Sequence, residues 1–185
     1  IEEFKNLIDD DVACVVIEPT IKDVKRISTI TKEHGALLVF DEVMTGFRYD
    51  VRGLQYVLGV EPDITCLGKC IANGMPLSAV VGRRDVMRLM DDGGVFASSL
   101  AAALKTIETL EKEGAKLWGI GARWWSGMEG LIKNKGLEDI MKLEGYAPRC
   151  GVTFKNIVYQ SLYQQELLKR RILTHGINNY CLSPT

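Results

Sequence analysis

This chain of 185 residues has almost no net charge, with 23 Lys and Arg against 24 Asp and Glu. No basic run breaks that balance, which argues against a nucleic-acid partner and against an anionic membrane surface. Apolar stretches are short, and none approaches the ~20 residues that cross a bilayer. The opening residues do not read as a signal peptide. Histidine is scarce: His34 and His175 stand at the ends of expected elements, and neither has a nucleophile or metal partner by spacing. The five cysteines (Cys14, Cys66, Cys70, Cys150 and Cys181) are odd in number and lack metal-ligand spacing. They read as reduced, mostly buried thiols of a cytoplasmic protein, with no metal site. No glycine-rich fingerprint follows any apolar run, which removes the dinucleotide-binding class. Repeats, low-complexity tracts and obvious linkers are also missing.

What the chain does have is 46% hydrophobic residues, enough to bury a sizeable core. Val12 to Ile17 is an apolar, β-branched run closed by Glu18-Pro19, the pattern of a buried strand. Apolar residues at Ile21, Val24, Ile27 and Ile30 give a helical stripe that Gly35 closes. Ala36 to Phe40 reads as the next strand, so the three segments form a strand–helix–strand unit of a parallel sheet. Ile64 to Leu67 and Ser78 to Gly82 predict two more strands, and Arg84 to Met90 a helix. A long Ala/Leu-rich helix is expected from Leu100 to Trp118, continuing towards Ile132.

Beyond it the texture changes. Gly136 to Gly145 reads as a polar helix or turn, while Val152–Phe154, Ile157-Val158 and Ile172–Thr174 read as short strands. Tyr163 to Arg170 predicts an amphipathic helix, and Trp118, Trp124 and Trp125 read as packing residues at a domain junction.

Ligands of parallel sheets gather at the carboxyl ends of the strands. Asp41 stands at the end of one such strand and Glu18 at the end of its neighbour. Lys69, bracketed by glycine, follows a third. An acid ending a buried strand and an amine just past the next one suit pyridoxal phosphate. The carboxylate keeps a pyridine nitrogen protonated, and the amine adds to an aldehyde. Glu18 is read equally well as an ordinary strand-end acid, and Val43 as plain core packing.

The strings Asp41-Glu42-Val43-Met44-Thr45-Gly46-Phe47-Arg48, Pro62-Asp63, Leu67-Gly68-Lys69 and Asn73-Gly74-Met75-Pro76 occur in that order. From Ile17 to Met90 the chain resembles the large domain of a class III aminotransferase, a pyridoxal-phosphate (PLP) family of fold type I. It is most similar to the glutamate-1-semialdehyde aminomutase branch. Lys69 lies 28 positions after Asp41, as the resemblance requires.

The resemblance implies an α/β fold: a three-layer αβα, mostly parallel sheet over residues 1–117, then a small α+β domain over 118–185. It implies a PLP cofactor, with Lys69 as the catalytic Schiff-base lysine, Asp41 as partner of the pyridinium and Val43 against the ring face. Glu18 would flank the cofactor, and Arg48 would pair with a nearby carboxylate. The implied substrate is a small amino acid or amino-carbonyl compound, and the implied assembly a homodimer with its site at the interface. Met44 stands where ordinary class III members carry glutamine, which points to the aminomutase branch. Asn73-Gly74-Met75-Pro76 departs from the glycine-rich form of true aminomutases.

Roughly the first half of the family's enzymes has no counterpart here. That half holds the phosphate-binding loop, the aromatic on the other ring face and the substrate-carboxylate site. The joins at Glu18–Thr20, Val95–Ser99 and Asn156-Ile157 are shorter than in the family. The competing expectation is therefore a truncated, cofactor-free remnant of the fold without activity of its own.

Overall fold

The structure is a computed structural model that describes residues 1–89, 94, 96–174 and 178–180. His175, Cys181 and Met90 lie outside the described residues, and the helix expected to run from Arg84 to Met90 already ends at Met87. The chain forms two compact units, Ile1–Gly114 and Ala115–Thr185.

The first unit opens with α1 (Glu2–Leu7) and then builds a four-stranded sheet. Strands β1 (Cys14–Ile17), β2 (Leu37–Asp41), β3 (Ile64–Leu67) and β4 (Ala79–Gly82) lie side by side in that order. The β1–β2 and β2–β3 pairs are parallel, whereas β4 runs antiparallel to β3. Helix α2 (Val24–Glu33) connects β1 to β2 and buries Val24, Ile27, Ser28 and Thr31, a spacing that keeps one face on the sheet. It begins three residues later than the apolar stripe suggests. Ile21 instead turns back on the Glu18 carbonyl, and Asp23 adopts φ 61°, outside helical geometry.

Gly35 ends α2 at φ 69°. Ala36 N–H donates to the Thr31 carbonyl and Gly35 N–H to that of Lys32. These two bonds are a Schellman motif, in which the left-handed residue is cheapest as glycine.

Leu38 and Phe40 on β2 are fully buried and pack with Val24 and Val60, flanked by Ile17 and Leu58. A second cluster joins Phe47, Ile71, Ala72 and Ala103, with Leu67, Ala79, Ile107 and Leu110 around it. It seats α5 (Ala97–Glu113) on the turn that follows β3. The two short helices α3 (Leu54–Leu58) and α4 (Arg84–Met87) complete this unit.

Asp63 ties the amino-terminal ends of β2 and β3 together. Its Oδ2 accepts from the Leu38 N–H at 2.8 Å and its Oδ1 from Arg83 Nη1 at 2.7 Å. Burial alone would raise its pKa, but the Leu38 amide and the Arg83 guanidinium outweigh burial and hold it below the usual 3.8. A depressed folded-state pKa contributes stability above the unfolded value, and that contribution fades as pH falls through the folded value. Asp63→Ala is expected to cost about 1–3 kcal/mol at neutral pH by stranding a buried amide. The half-exposed Arg83 adds little to that figure. Thermal melts from pH 7 to pH 2 should show the gap to the parent protein narrowing below pH 3.8.

The helix expected to run unbroken through residues 100–132 is two helices. α5 ends at Glu113, Gly114 N–H donates to the Leu110 carbonyl, and α6 (Ala115–Asn134) belongs to the second unit. There β5 (Met141–Tyr146), β6 (Arg149–Phe154) and β7 (Asn178–Tyr180) form an antiparallel sheet with β6 in the centre.

Three sequence expectations fail in this unit. Residues 141–145 are strand rather than helix or turn, because Met141 and Leu143 alternate onto the core with Ile132 and Val152. Ile157 and Val158 open α7 (Ile157–Lys169), because Asn156 Oδ1 caps the Val158 and Tyr159 amides at 3.1 and 3.2 Å. Residues 172–174 form no strand: Arg171 ends α7 at φ 60°, and Ile172 N–H turns back to the Leu167 carbonyl. Trp124 packs beside the Ile132–Met141–Val152 core. Cysteine burial is also uneven: Cys150 is buried, Cys66 and Cys70 are partly buried, and Cys14 is exposed on β1.

Candidate active site

The carboxyl ends of β1, β2 and β3 carry the residues singled out from the sequence. Glu18 follows the last residue of β1, level with Asp41 because Ile17 pairs with Phe40. Asp41 ends β2 with an exposed side chain. Its Oδ1 accepts from the Val43 N–H at 3.0 Å, a local turn that orients the carboxylate. Asp41 pairs in register with Cys66 on β3. The Cys66 thiol is pushed up first by burial and then by the Asp41 charge, which places that carboxylate within electrostatic reach of β3.

Three residues beyond Cys66 comes Lys69, at the start of a tight turn over Lys69–Ile71. Its φ of 45° lies in the left-handed region that lysine seldom occupies. The following helix α5 and the Ile71–Ala72 core hold this backbone in place. The ammonium bends back towards β2 and rests against the Met44 sulfur.

Gly68 explains how the two strand ends come so close. A Cβ there would lie 3.3 Å from Val43 Cγ1, so the valine packs directly on the residue preceding the lysine. Arg48 Nε donates to the Met44 carbonyl at 2.7 Å, which closes the turn over Met44. Asn73 and Gly74, at φ 44° and 109°, form the bend after this region, where asparagine and glycine tolerate left-handed backbone.

The structure therefore gathers Asp41, Val43, Met44, Gly68 and Lys69 at the carboxyl ends of β2 and β3, with Glu18 just past the end of the adjoining β1. His34 lies apart from them, its Nδ1 3.5 Å from Asp10 Oδ1. Among the described residues no group of three His, Cys, Asp or Glu side chains could hold a metal ion. No helix among them is long and apolar enough to cross a membrane.

Sequence reading passed over Glu42, which is fully buried directly behind Asp41. Its Oε2 accepts from Thr45 Oγ1 at 2.9 Å and from the Leu54 N–H at 2.7 Å, and its Oε1 from the Gln55 N–H at 2.9 Å. The sequence held a faint sign of this: a second acid beside the first, at a place where a strand end should turn to solvent.

These residues fit the ring end of PLP. Asp41 Oδ2 makes no hydrogen bond among the described residues and so can accept from a ring N–H. Lys69 offers an exposed primary amine, and Val43 an apolar contact beside it.

The class III aminotransferase family profile matches residues 1–118. Glutamate-1-semialdehyde 2,1-aminomutase of Neisseria gonorrhoeae (strain ATCC 700825 / FA 1090) is 40% identical over 124 residues, covering 57% of this chain and 29% of the relative. The enzyme of the same name from Methanocella arvoryzae is 32% identical over 173 residues, covering 82% of this chain and 39% of the relative.

Among solved structures, the PLP form of the FumI protein of Sphingopyxis sp. MTA144 superposes with TM-score 0.79 at 30% identity, covering 97% of this chain and 48% of that one. An omega-transaminase from Sphaerobacter thermophilus, TM-score 0.79 at 24% identity, covers 99% and 50% and shares the fold. The chain thus spans 29–39% of these two curated relatives and about half of the solved chains. With its mostly parallel sheet, its strand-end aspartate and lysine, and a family match over residues 1–118, this chain belongs to the class III aminotransferases.

Proposed function

We propose that the protein carries out PLP-dependent amino-group transfer, as an aminotransferase or as an aminomutase of the glutamate-1-semialdehyde type. The observation that carries this reading is the meeting of two strand ends. Lys69, from the end of β3, lays its ammonium on Met44 just past the end of β2, where Asp41 stands exposed.

PLP, when bound, supplies an electron sink for negative charge developing at a substrate carbon. Asp41 would accept a charge-assisted hydrogen bond from the ring nitrogen and hold the proton there. Lys69 would provide the amine that holds the cofactor, and the same amine would move protons along the substrate. Val43 would pack against the ring face, and Glu18 would flank it. Domain limits of 1–117 and 118–185 would give the cofactor to the first unit.

Met44 favours the aminomutase branch, and so do relatives bearing that name at 32–40% identity. The substrate on this reading is a small amino acid or amino-carbonyl compound. The site is completed in a cytoplasmic homodimer by residues beyond this chain.

The test is an absorbance spectrum with added PLP, then borohydride reduction and peptide mapping. A visible band that reduction fixes on Lys69 is expected. No band, or label scattered over surface lysines, would favour the cofactor-free remnant instead.

A further inference from the structure

Glu42 is a buried carboxylate that the proposed chemistry does not use. It is 0% exposed, and its three hydrogen-bond donors come from Thr45 and from the first turn of α3. A buried carboxylate is retained only where donors replace its water, and here they do.

Its bonds tie together segments that must stay in register. The Glu42 N–H donates to the Cys66 carbonyl at 2.9 Å, linking it to β3. Its own carbonyl accepts from the Gly46 N–H at 2.7 Å, which closes the turn over Val43 and Met44. Its side chain then spans to residues 54 and 55, twelve and thirteen positions along the chain. Gly53 is shaped to receive it: at φ 84°, a Cβ there would stand 2.6 Å from Glu42 Oε1. Gly46 is likewise tight, its Cβ position 2.8 Å from the Glu42 carbonyl. The residues on either side, Asp41 and Val43, are the ones placed against the cofactor above. Any swing of Glu42 would therefore re-aim both.

We propose that Glu42 is a positioning residue: its buried carboxylate anchors the 42–46 turn to β3 and α3, and so fixes where Asp41 and Val43 point. The proposal rests on the PLP reading of this site. Glu42→Gln keeps the size of the side chain but turns one acceptor into a donor that must face the Leu54 or Gln55 amide. A misplacement of about 1 Å at a reacting centre can cost on the order of 10²-fold in rate.

The experiment follows the pH midpoint of the bound cofactor's visible band in the full-length protein, saturated with PLP well below its melting temperature. Glu42→Gln should shift that midpoint in the same direction as Asp41→Asn. The double variant should shift no further than Asp41→Asn alone. kcat should fall by roughly 10²-fold with KM changed far less. Thr45→Val removes one of the three donors and should give a smaller shift the same way, which Thr45→Ser reverses. This milder pair decides the matter if Glu42→Gln does not fold.

A lower melting temperature with unchanged midpoint and unchanged kcat per bound cofactor would overturn the proposal and leave Glu42 a packing residue. No midpoint change in Asp41→Asn itself would instead overturn the assignment of Asp41, and the role of Glu42 with it.

Discussion

Lys69→Ala is expected to reduce amino transfer by at least about 10⁴-fold, because one side chain performs two tasks. On the proposed function it would attach the cofactor and would carry the proton between substrate carbons or between carbon and cofactor. General acid–base assistance alone is worth roughly 10²–10⁴-fold, and loss of the attached amine adds to that. The fold should survive. Lys69 is exposed, and the hydrophobic residues that set the turn, Leu67, Ile71 and Ala72, are untouched. The left-handed backbone at φ 45° is no worse for alanine than for lysine. A melt within a few degrees of the parent, with single-turnover rates near background, is the expected pairing. Lys69→Arg should be equally inactive, since a guanidinium stays protonated and is no nucleophile. Measurable turnover in Lys69→Ala, with the band still reducible, would move the attachment point to another lysine.

Asp41→Asn should lower kcat by about 10²–10³-fold, equivalent to about 2.7–4 kcal/mol of preorganised electrostatic stabilisation. The amide has nearly the same shape and can still accept from the Val43 N–H. Stability should therefore change little at this exposed strand end. What disappears is the negative charge that, on the proposed function, would hold a proton on the ring nitrogen. A cofactor-free readout accompanies this. With the Asp41 charge gone, the Cys66 thiol loses one of the two influences that raise its pKa. Alkylation of Cys66, followed by peptide mapping, should then set in at lower pH than in the parent protein. An unchanged Cys66 profile would mean that the carboxylate does not face β3.

The first unit was legible because its signals are local and agree with one another. β-branched runs, a helical stripe and a closing glycine all predict alternating strands and helices, and the sheet follows that order. The second unit was less legible. Ile157 and Val158 have strand-like side chains, yet the Asn156 cap starts a helix there. Residues 141–145 look polar and glycine-containing, yet Met141 and Leu143 turn onto Ile132 and Val152. In both places one capping side chain or one packed face outweighs local propensity, whose differences per residue are under about 1 kcal/mol.

The candidate site divides in the same way. Asp41 and Lys69 could be singled out in the sequence because each is the first charge after an apolar run, set in a string that resembles the family. Their chemistry is a property of the side chains and needs no fold to be recognised. Their meeting is not such a property. It depends on β2 and β3 pairing in parallel with Asp41 opposite Cys66, and on a glycine at 68 that lets Val43 approach. Glu42 is the clearest case. Beside an aspartate it looks like one more solvated acid, and only the closure of residues 42–55 brings Thr45, Leu54 and Gln55 around it. Residue types and spacing determined which chemistry this chain could carry. Tertiary structure decided which acid faces outward and which is buried, because burial and hydrogen-bond partners arise from contacts between segments distant in sequence.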